Sequence, residues 1–124
     1  MRFSEGLEKI GLGAFLKSGL ESVELPATLR TIFQAAFAQC YSLRTVKINV
    51  GLEVLGTPEH LDGGGVWLGV FQDSSVEHVE LPSTLKRIEY SVFQNCDELQ
   101  RIKLPTVLEY IGKECFNGSG LTKV

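Results

Sequence analysis

Residues 25–47 read LPATLRTIFQAAFAQCYSLRTVK and residues 81–103 read LPSTLKRIEYSVFQNCDELQRIK, one pattern written twice. It returns, shortened, from residue 104 to the end. The phenylalanines at its centre are Phe15, Phe37, Phe71, Phe93 and Phe116, with gaps of 22, 34, 22 and 23. Four further apolar registers keep step with them. They run Leu7, Leu29, Leu52, Leu85, Leu108; Ile10, Ile32, Leu55, Ile88, Ile111; Leu20, Leu43, Val76, Leu99, Leu121; and Met1, Val23, Val46, Val79, Ile102, Val124. A fixed period of this length is the signature of a solenoid, in which each coil is too small to bury its own apolar face and needs a neighbour on each side.

The long gap is an insertion, not a change of fold. Residues 55 to 71 span 16 positions where the other units use 5, so one coil carries 11 extra residues, after which the register resumes. The inserted stretch, residues 56–69, contains three consecutive glycines and the only tryptophan, Trp67. The glycines exclude regular structure there. Expected coils are residues 1–23, 24–46, 47–79 with the insertion, 80–102 and 103–124 of a single domain.

Within a coil, Leu43-x-x-Val46-x-Ile48 alternates apolar and polar side chains as a half-buried strand does, with Lys47 outward. Leu-Pro after several of these runs ends the strand, because proline cannot donate to a ladder. A second extended run is expected at residues 84–89. Residues 90–96 read as one helical turn, with Val92, Phe93 and Cys96 at helical spacing.

The unit Leu-Pro-x-x-Leu-x-x-Ile-x-x-x-Ala-Phe-x-x-Cys-x-x-Leu-x-x-Val at residues 25–46 resembles the BspA-like leucine-rich repeats. The departures are the insertion, valine at positions 70 and 92, and Cys115 at the same place in the last unit. The resemblance implies a right-handed leucine-rich-repeat solenoid of about five coils, short parallel β-strands on one side and short helical turns on the other. It also implies adhesion or protein binding, with no shared catalytic residues.

Composition excludes several other classes. A net charge of −3 and a pI near 5.4 argue against a general affinity for nucleic acid. No apolar run reaches the length of a membrane span, and residues 1–5 lack the apolar core of a secretory signal. Two placements stay open: the cell surface if the chain is cut from a longer BspA-like protein, the cytoplasm otherwise. Cys40 and Cys96 hold the same place two coils apart, roughly 10 Å at the spacing of stacked strands, beyond the ~7 Å reach of a disulfide. The three cysteines are therefore expected to be buried thiols serving as small hydrophobes.

Candidate binding residues lie in two places. Outward strand positions form the columns Glu24, Lys47, Glu80, Lys103, then Ser22, Thr45, His78, Arg101, Lys123, and then Glu21, Arg44, Glu77, Gln100, Thr122. Alternating signs in the first column argue for register-setting charge or a protein-binding face, and against a nucleic-acid stripe, which needs one sign. Glu24, Arg44, Lys47, His78, Glu80, Arg101 and Lys103 are the candidates on this face. No nucleophile or second histidine is placed to make His78 a catalytic base. The other place is the insertion, where Trp67 and His60 could meet a partner, or Trp67 could fold back as a lid. Glu59, His60 and Asp62 match no known metal spacing, and no Gly-Lys-Ser/Thr follows the glycines, so neither a metal, a cofactor nor a phosphate loop is expected.

The leading expectation is thus a non-catalytic protein-interaction or adhesion module. The alternative is a structural repeat fragment whose main contacts are self-association through uncapped ends, or missing neighbouring repeats. An enzyme using the insertion is the third reading.

Overall fold

A computed structural model of the chain describes residues 1–57 and 68–121. The inserted His60 and Trp67 lie outside the described residues. Eight short strands follow in order: β1 (Lys9–Ile10), β2 (Ser22–Leu25), β3 (Thr31–Ile32), β4 (Thr45–Ile48), β5 (Val54–Leu55), β6 (His78–Glu80), β7 (Arg87–Ile88) and β8 (Tyr110–Ile111). All their pairings are parallel. One sheet has the order β2-β4-β6, extended at one edge by a bridge from Arg2 to Glu24. The second extended run forms two smaller sheets, β1-β3 and β5-β7-β8. At residues 84–89 the strand is confined to β7.

The expected registers are the core. Leu29, Leu52 and Leu85, Ile32, Leu55 and Ile88, and Leu43, Val76 and Leu99 are all buried. The phenylalanines form one continuous stack from Phe15 through Phe37, Phe71 and Phe93 to Phe116. Ring centroids are 5.3, 5.5, 5.7 and 5.6 Å apart and the planes lie within 11° of one another. Phe3 closes one end of the stack edge-on, 5.4 Å from Phe15. That separation is within the range of favourable aromatic pairs.

The other side of the coil departs from expectation. Among the described residues there is no helix. At residues 90–96 the N–H groups of Ser91, Phe93 and Asn95 donate to the carbonyls of Lys113, Cys115 and Asn117 in the next coil, at 3.1, 2.9 and 2.8 Å. The alternate N–H groups of Gln94 and Cys96 turn back to Ser91 and Phe93, at 3.1 and 3.2 Å. Stacking thus claims three of these five donors. In four of the five coils this segment is a pair of turns flanked by left-handed residues two before and two after the phenylalanine, and around Phe71 only Asp73, two after it, is left-handed. Examples are Ala35 (φ 60°) and Gln39 (φ 55°) around Phe37, and Ser91 and Asn95 (both φ 58°) around Phe93. Such backbone costs a residue with a Cβ roughly 1–2 kcal/mol, so the inter-coil bonds and the buried ring between the two positions must hold it.

Side chains repeat the same logic. Thr28 Oγ1 accepts from the Gly6 N–H (3.0 Å) and donates to the Leu7 carbonyl (2.7 Å). Thr84 does the same with Gly51 (2.9 Å) and Leu52 (2.8 Å). Each hydroxyl clips one coil to the one before. Behind the phenylalanines runs a column of hydroxyls and thiols. Cys40 Sγ lies 3.4 Å from Ser18 Oγ and donates to the Phe15 carbonyl (3.2 Å), and Cys96 Sγ donates to the Phe71 carbonyl (3.1 Å).

The insertion interrupts this stack, and two glutamines repair it. Gln34, fully buried, reaches past the interrupted coil so that its Nε2 donates to the Tyr90 carbonyl at 3.4 Å, while its Oε1 accepts from the Thr57 N–H at 3.4 Å. Gln72 Oε1 accepts from the Gly69 N–H at 2.8 Å. A Cβ at Gly69 would overlap the Ser91 backbone carbonyl, so only glycine lets the chain re-enter so close to the next coil.

Candidate binding face

The β2-β4-β6 sheet presents its outward side chains in the expected columns. Glu24 lies opposite Lys47 and Lys47 opposite Glu80, while Thr45 lies opposite His78. Strand pleating makes this so: Val23 and Val46 point into the core and the residues on either side point out.

The charges pair more selectively than alternation implies. Lys47 Nζ approaches Glu80 at 3.9 Å, and Arg44 Nε approaches Glu77 at 3.4 Å, all four side chains well exposed. Glu24 instead accepts from Asn49 Nδ2 at 3.1 Å, and the same amide donates to the Leu25 carbonyl at 3.0 Å. That hydrogen bond, with Arg2 and Lys47 nearby, holds the Glu24 carboxyl below the ordinary carboxylate range. Ile48 pairs with Leu25, so Asn49 stands where other units carry the proline of Leu-Pro.

The ladder stops after β6. Residues 101–103 carry the next turn of the same register, yet among the described residues no backbone hydrogen bond joins them to β6. Over β4, β6 and residues 101–103 lies an open depression of about 500 Å³ lined by Thr45, Lys47, His78, Glu80, Arg101 and Lys103, with Val46, Val79 and Ile102 as its floor. Val79 is only half-buried, although its column-mates Val23 and Val46 are 3% and 1% exposed. Five of the candidate residues, Lys47, His78, Glu80, Arg101 and Lys103, therefore meet at one place. Arg44 borders a separate recess with Tyr41, Asp73 and Glu77, and Glu24 borders a third with Met1 and Arg2.

All three cysteines are free and buried. Burial pushes the Cys96 thiol up to about 11 and the Cys115 thiol up to about 12, which removes the thiolate that nucleophilic chemistry requires. Among the described residues no three His, Cys, Asp or Glu side chains converge as a metal site, and no helix is long and apolar enough to cross a membrane. On the opposite side Arg87 lies 4.1 Å above the Tyr110 ring and bonds the buried Glu89 carboxylate at 2.9 Å. The Glu89 bond holds Arg87 above its usual range, and the ring contact ties β7 to β8.

Solved structures similar to this chain include two leucine-rich repeat proteins. A leucine-rich repeat protein from Bacteroides ovatus superposes with a TM-score of 0.82 at 26% identity, covering 95% of this chain and 28% of that one. A leucine-rich repeat protein from Eubacterium ventriosum has a TM-score of 0.61 at 23% identity, covering 90% and 34% respectively, and shows the fold alone. The chain thus spans about a third or less of the length of either. None of the curated proteins compared matches it. Six copies of the BspA type leucine rich repeat region are matched over residues 1–58 and 68–124, interrupted only within the insertion. The chain belongs to the BspA-type leucine-rich repeat family.

Proposed function

We propose that this chain is a non-catalytic protein-interaction module whose outward strand face is the contact surface. The observation that carries the reading is the gathering of Lys47, His78, Glu80, Arg101 and Lys103 around one depression over an apolar floor. Solenoid sheets offer extended surfaces of this kind, and side chains from separate coils can be varied without disturbing the stack. Burial keeps Cys96 and Cys115 protonated, so neither offers a nucleophile to this face. The test is a protein array probed with the chain and with two variants. Lys47→Glu with Arg101→Glu should remove the binders, whereas Lys17→Glu on the turn side should keep them. Binding lost only with Lys17→Glu would move the contact surface to the other side.

A second reading rests on the two ends. Val107, Tyr110 and Ile111 at one end, and Met1, Leu12 and Leu16 at the other, are each at least 38% exposed. Contiguous apolar surface on a solenoid end favours stacking with another coil, from a second copy or a neighbouring repeat. Light scattering at tens of micromolar should then give masses above 13.7 kDa, and Ile111→Glu should lower them. A monomer throughout would remove self-association.

A further inference from the structure

We infer that the outward face binds an extended segment of a partner protein whose side chains run apolar, acidic, then basic, laid over the exposed side chains of residues 73–83 and 95–106. This rests on the outward strand face being the contact surface, and it names the chemistry of the partner.

The depression over β4, β6 and residues 101–103 is one of four that adjoin. It shares His78 and Arg101 with a recess that also holds Glu77 and Glu98. That recess shares Glu77 and Glu98 with another, bordered by Asp73 and Asp97. In the opposite direction the depression shares Val79, Glu80 and Lys103 with a hollow over Leu81, Leu104 and Pro105. Together they follow the chain direction of two neighbouring coils as one shallow course. Nothing has to part for a ligand to lie in it. The Phe71 and Phe93 rings beneath stay stacked at 5.7 Å, and the course is bordered by exposed side chains above them.

Charge is sorted along this course. Residues 97–105 read Asp-Glu-Leu-Gln-Arg-Ile-Lys-Leu-Pro, two carboxylates, then two cations, then an apolar pair, with Leu99 and Ile102 buried between them. Asp97, Glu98, Arg101 and Lys103 are exposed, and none has an ion-pair partner among the described residues. The charges of the coil before are already engaged. Asp73 accepts from Asn95 Nδ2 at 2.9 Å, Glu77 pairs with Arg44 at 3.4 Å, and Glu80 with Lys47 at 3.9 Å. The free charges are therefore negative at Asp97 and Glu98 and positive at Arg101 and Lys103. At about 3.3 Å per extended residue they span at most roughly 20 Å, the reach of a short extended segment, whose alternate side chains point the same way. Charge complementarity then selects by order, because a segment of the same composition in another order sets like charges together. The segment this arrangement recognises places an apolar side chain by Leu104 and Pro105, carboxylates over Lys103 and Arg101, and cations over Glu98 and Asp97.

The experiment titrates the isotope-labelled full chain at low salt with three synthetic peptides, followed by backbone amide NMR. They are Leu-Ser-Glu-Ser-Glu-Ser-Lys-Ser-Lys, its rearrangement Leu-Ser-Glu-Ser-Lys-Ser-Glu-Ser-Lys, and the acidic Leu-Ser-Glu-Ser-Glu-Ser-Ser-Ser-Ser. The first two have the same composition and no net side-chain charge, so only order separates them. The first should bind about tenfold more tightly than the second, two exposed charge contacts being reversed between them, and more tightly than the third. Its amide shifts should fall on residues 77–81 and 97–105. Physiological salt should shrink the preference, and Arg101→Glu with Lys103→Glu should remove it. The comparison of peptides on the wild-type chain does not depend on how that variant folds. No binding of the first peptide, equal binding of the first two, an acidic peptide that binds as tightly as the first, or shifts confined to other residues overturns the ordered segment. If protein-array binders are nevertheless lost with Lys47→Glu and Arg101→Glu, the broader face reading stands; if they persist, both fall.

Discussion

The two strand columns of this solenoid are interrupted at different junctions. The outward sheet runs unbroken from β2 through β4 to β6 and then parts before residues 101–103. The second column breaks earlier, between β3 and β5, and then runs unbroken through β7 to β8. The phenylalanine stack crosses both gaps with spacings that vary only from 5.3 to 5.7 Å. Either ladder can therefore open while the coils stay in register, because the apolar columns hold them.

The largest effect should come from the element both columns depend on. Phe93 is fully buried between Phe71 and Phe116. Phe93→Ala should cost about 3–5 kcal/mol, as for other buried aromatics, enough to unfold much of a domain with ordinary marginal stability. Urea melts check this. A loss under about 1 kcal/mol would mean that the ladders, not the stack, hold the coils together.

The thiols beside that stack give the next effect, through pH. In the unfolded chain a cysteine titrates near its ordinary value of about 8.5, while burial holds Cys96 at about 11 and Cys115 at about 12. Between these limits the unfolded state has lost protons that the folded state keeps, so stability falls as pH rises and is unaffected by these groups below about pH 8. The expected loss is up to about 2 kcal/mol from pH 9 to pH 10, and smaller with Cys96→Ala. Denaturant midpoints followed across that range measure it. An alkaline slope identical in wild type and variant would show that Cys96 is accessible in the folded state.

Gln34 tests the break in the second column. Its amide supplies both halves of the repair, to the Tyr90 carbonyl and from the Thr57 N–H. Gln34→Leu would keep the volume and leave both backbone groups without that partner, for a cost of about 1–3 kcal/mol. If thermal melts of Gln34→Leu match wild type, the break between β3 and β5 needs no side-chain bridge.

The sequence made the core legible because burial dictates residue type. Leu29, Ile32, Phe37 and Leu43 must be apolar, and their spacing carries the period into every coil. The turn side was less legible. Val92, Phe93 and Cys96 have the same spacing in a helical turn and in a pair of turns, and only the inter-coil donors of Ser91 and Asn95 decide between them. Left-handed backbone at Lys17, Ala35, Gln39 and Glu114 is imposed by stacking on residues that do not favour it, so residue identity gave no sign. Thr28, Thr84 and Gln34 sat at positions the pattern treated as variable, and their partners lie a coil or more away. The end of the ladder after β6 was invisible because Arg101-Ile102-Lys103 alternates just as Thr45-Val46-Lys47 does. The candidate residues of the outward face were nameable from alternation, whereas their convergence on one depression depended on where the ladder opens.

The smallest effect bears most directly on that opening. Lys47 lies within the closed part of its column, between Glu24 and Glu80, and Lys103 follows in the same column beyond β6. Lys47→Glu places three carboxylates in one row. The Lys47–Glu80 pair it removes is 3.9 Å long, with side chains 51% and 67% exposed, so solvent screens most of its Coulomb energy and the cost should stay under about 1 kcal/mol. Added salt should recover part of it, since exposed charges are screened within about 10 Å at 0.1 M. Lys103→Glu removes no ion pair found among the described residues and has no ladder partner in β6. Its effect on stability should fall below that of Lys47→Glu and show little salt dependence. Paired thermal melts of the two variants at low and high salt compare the closed and open halves of one column. Equal, equally salt-sensitive losses would mean that the ladder continues through Lys103 in solution.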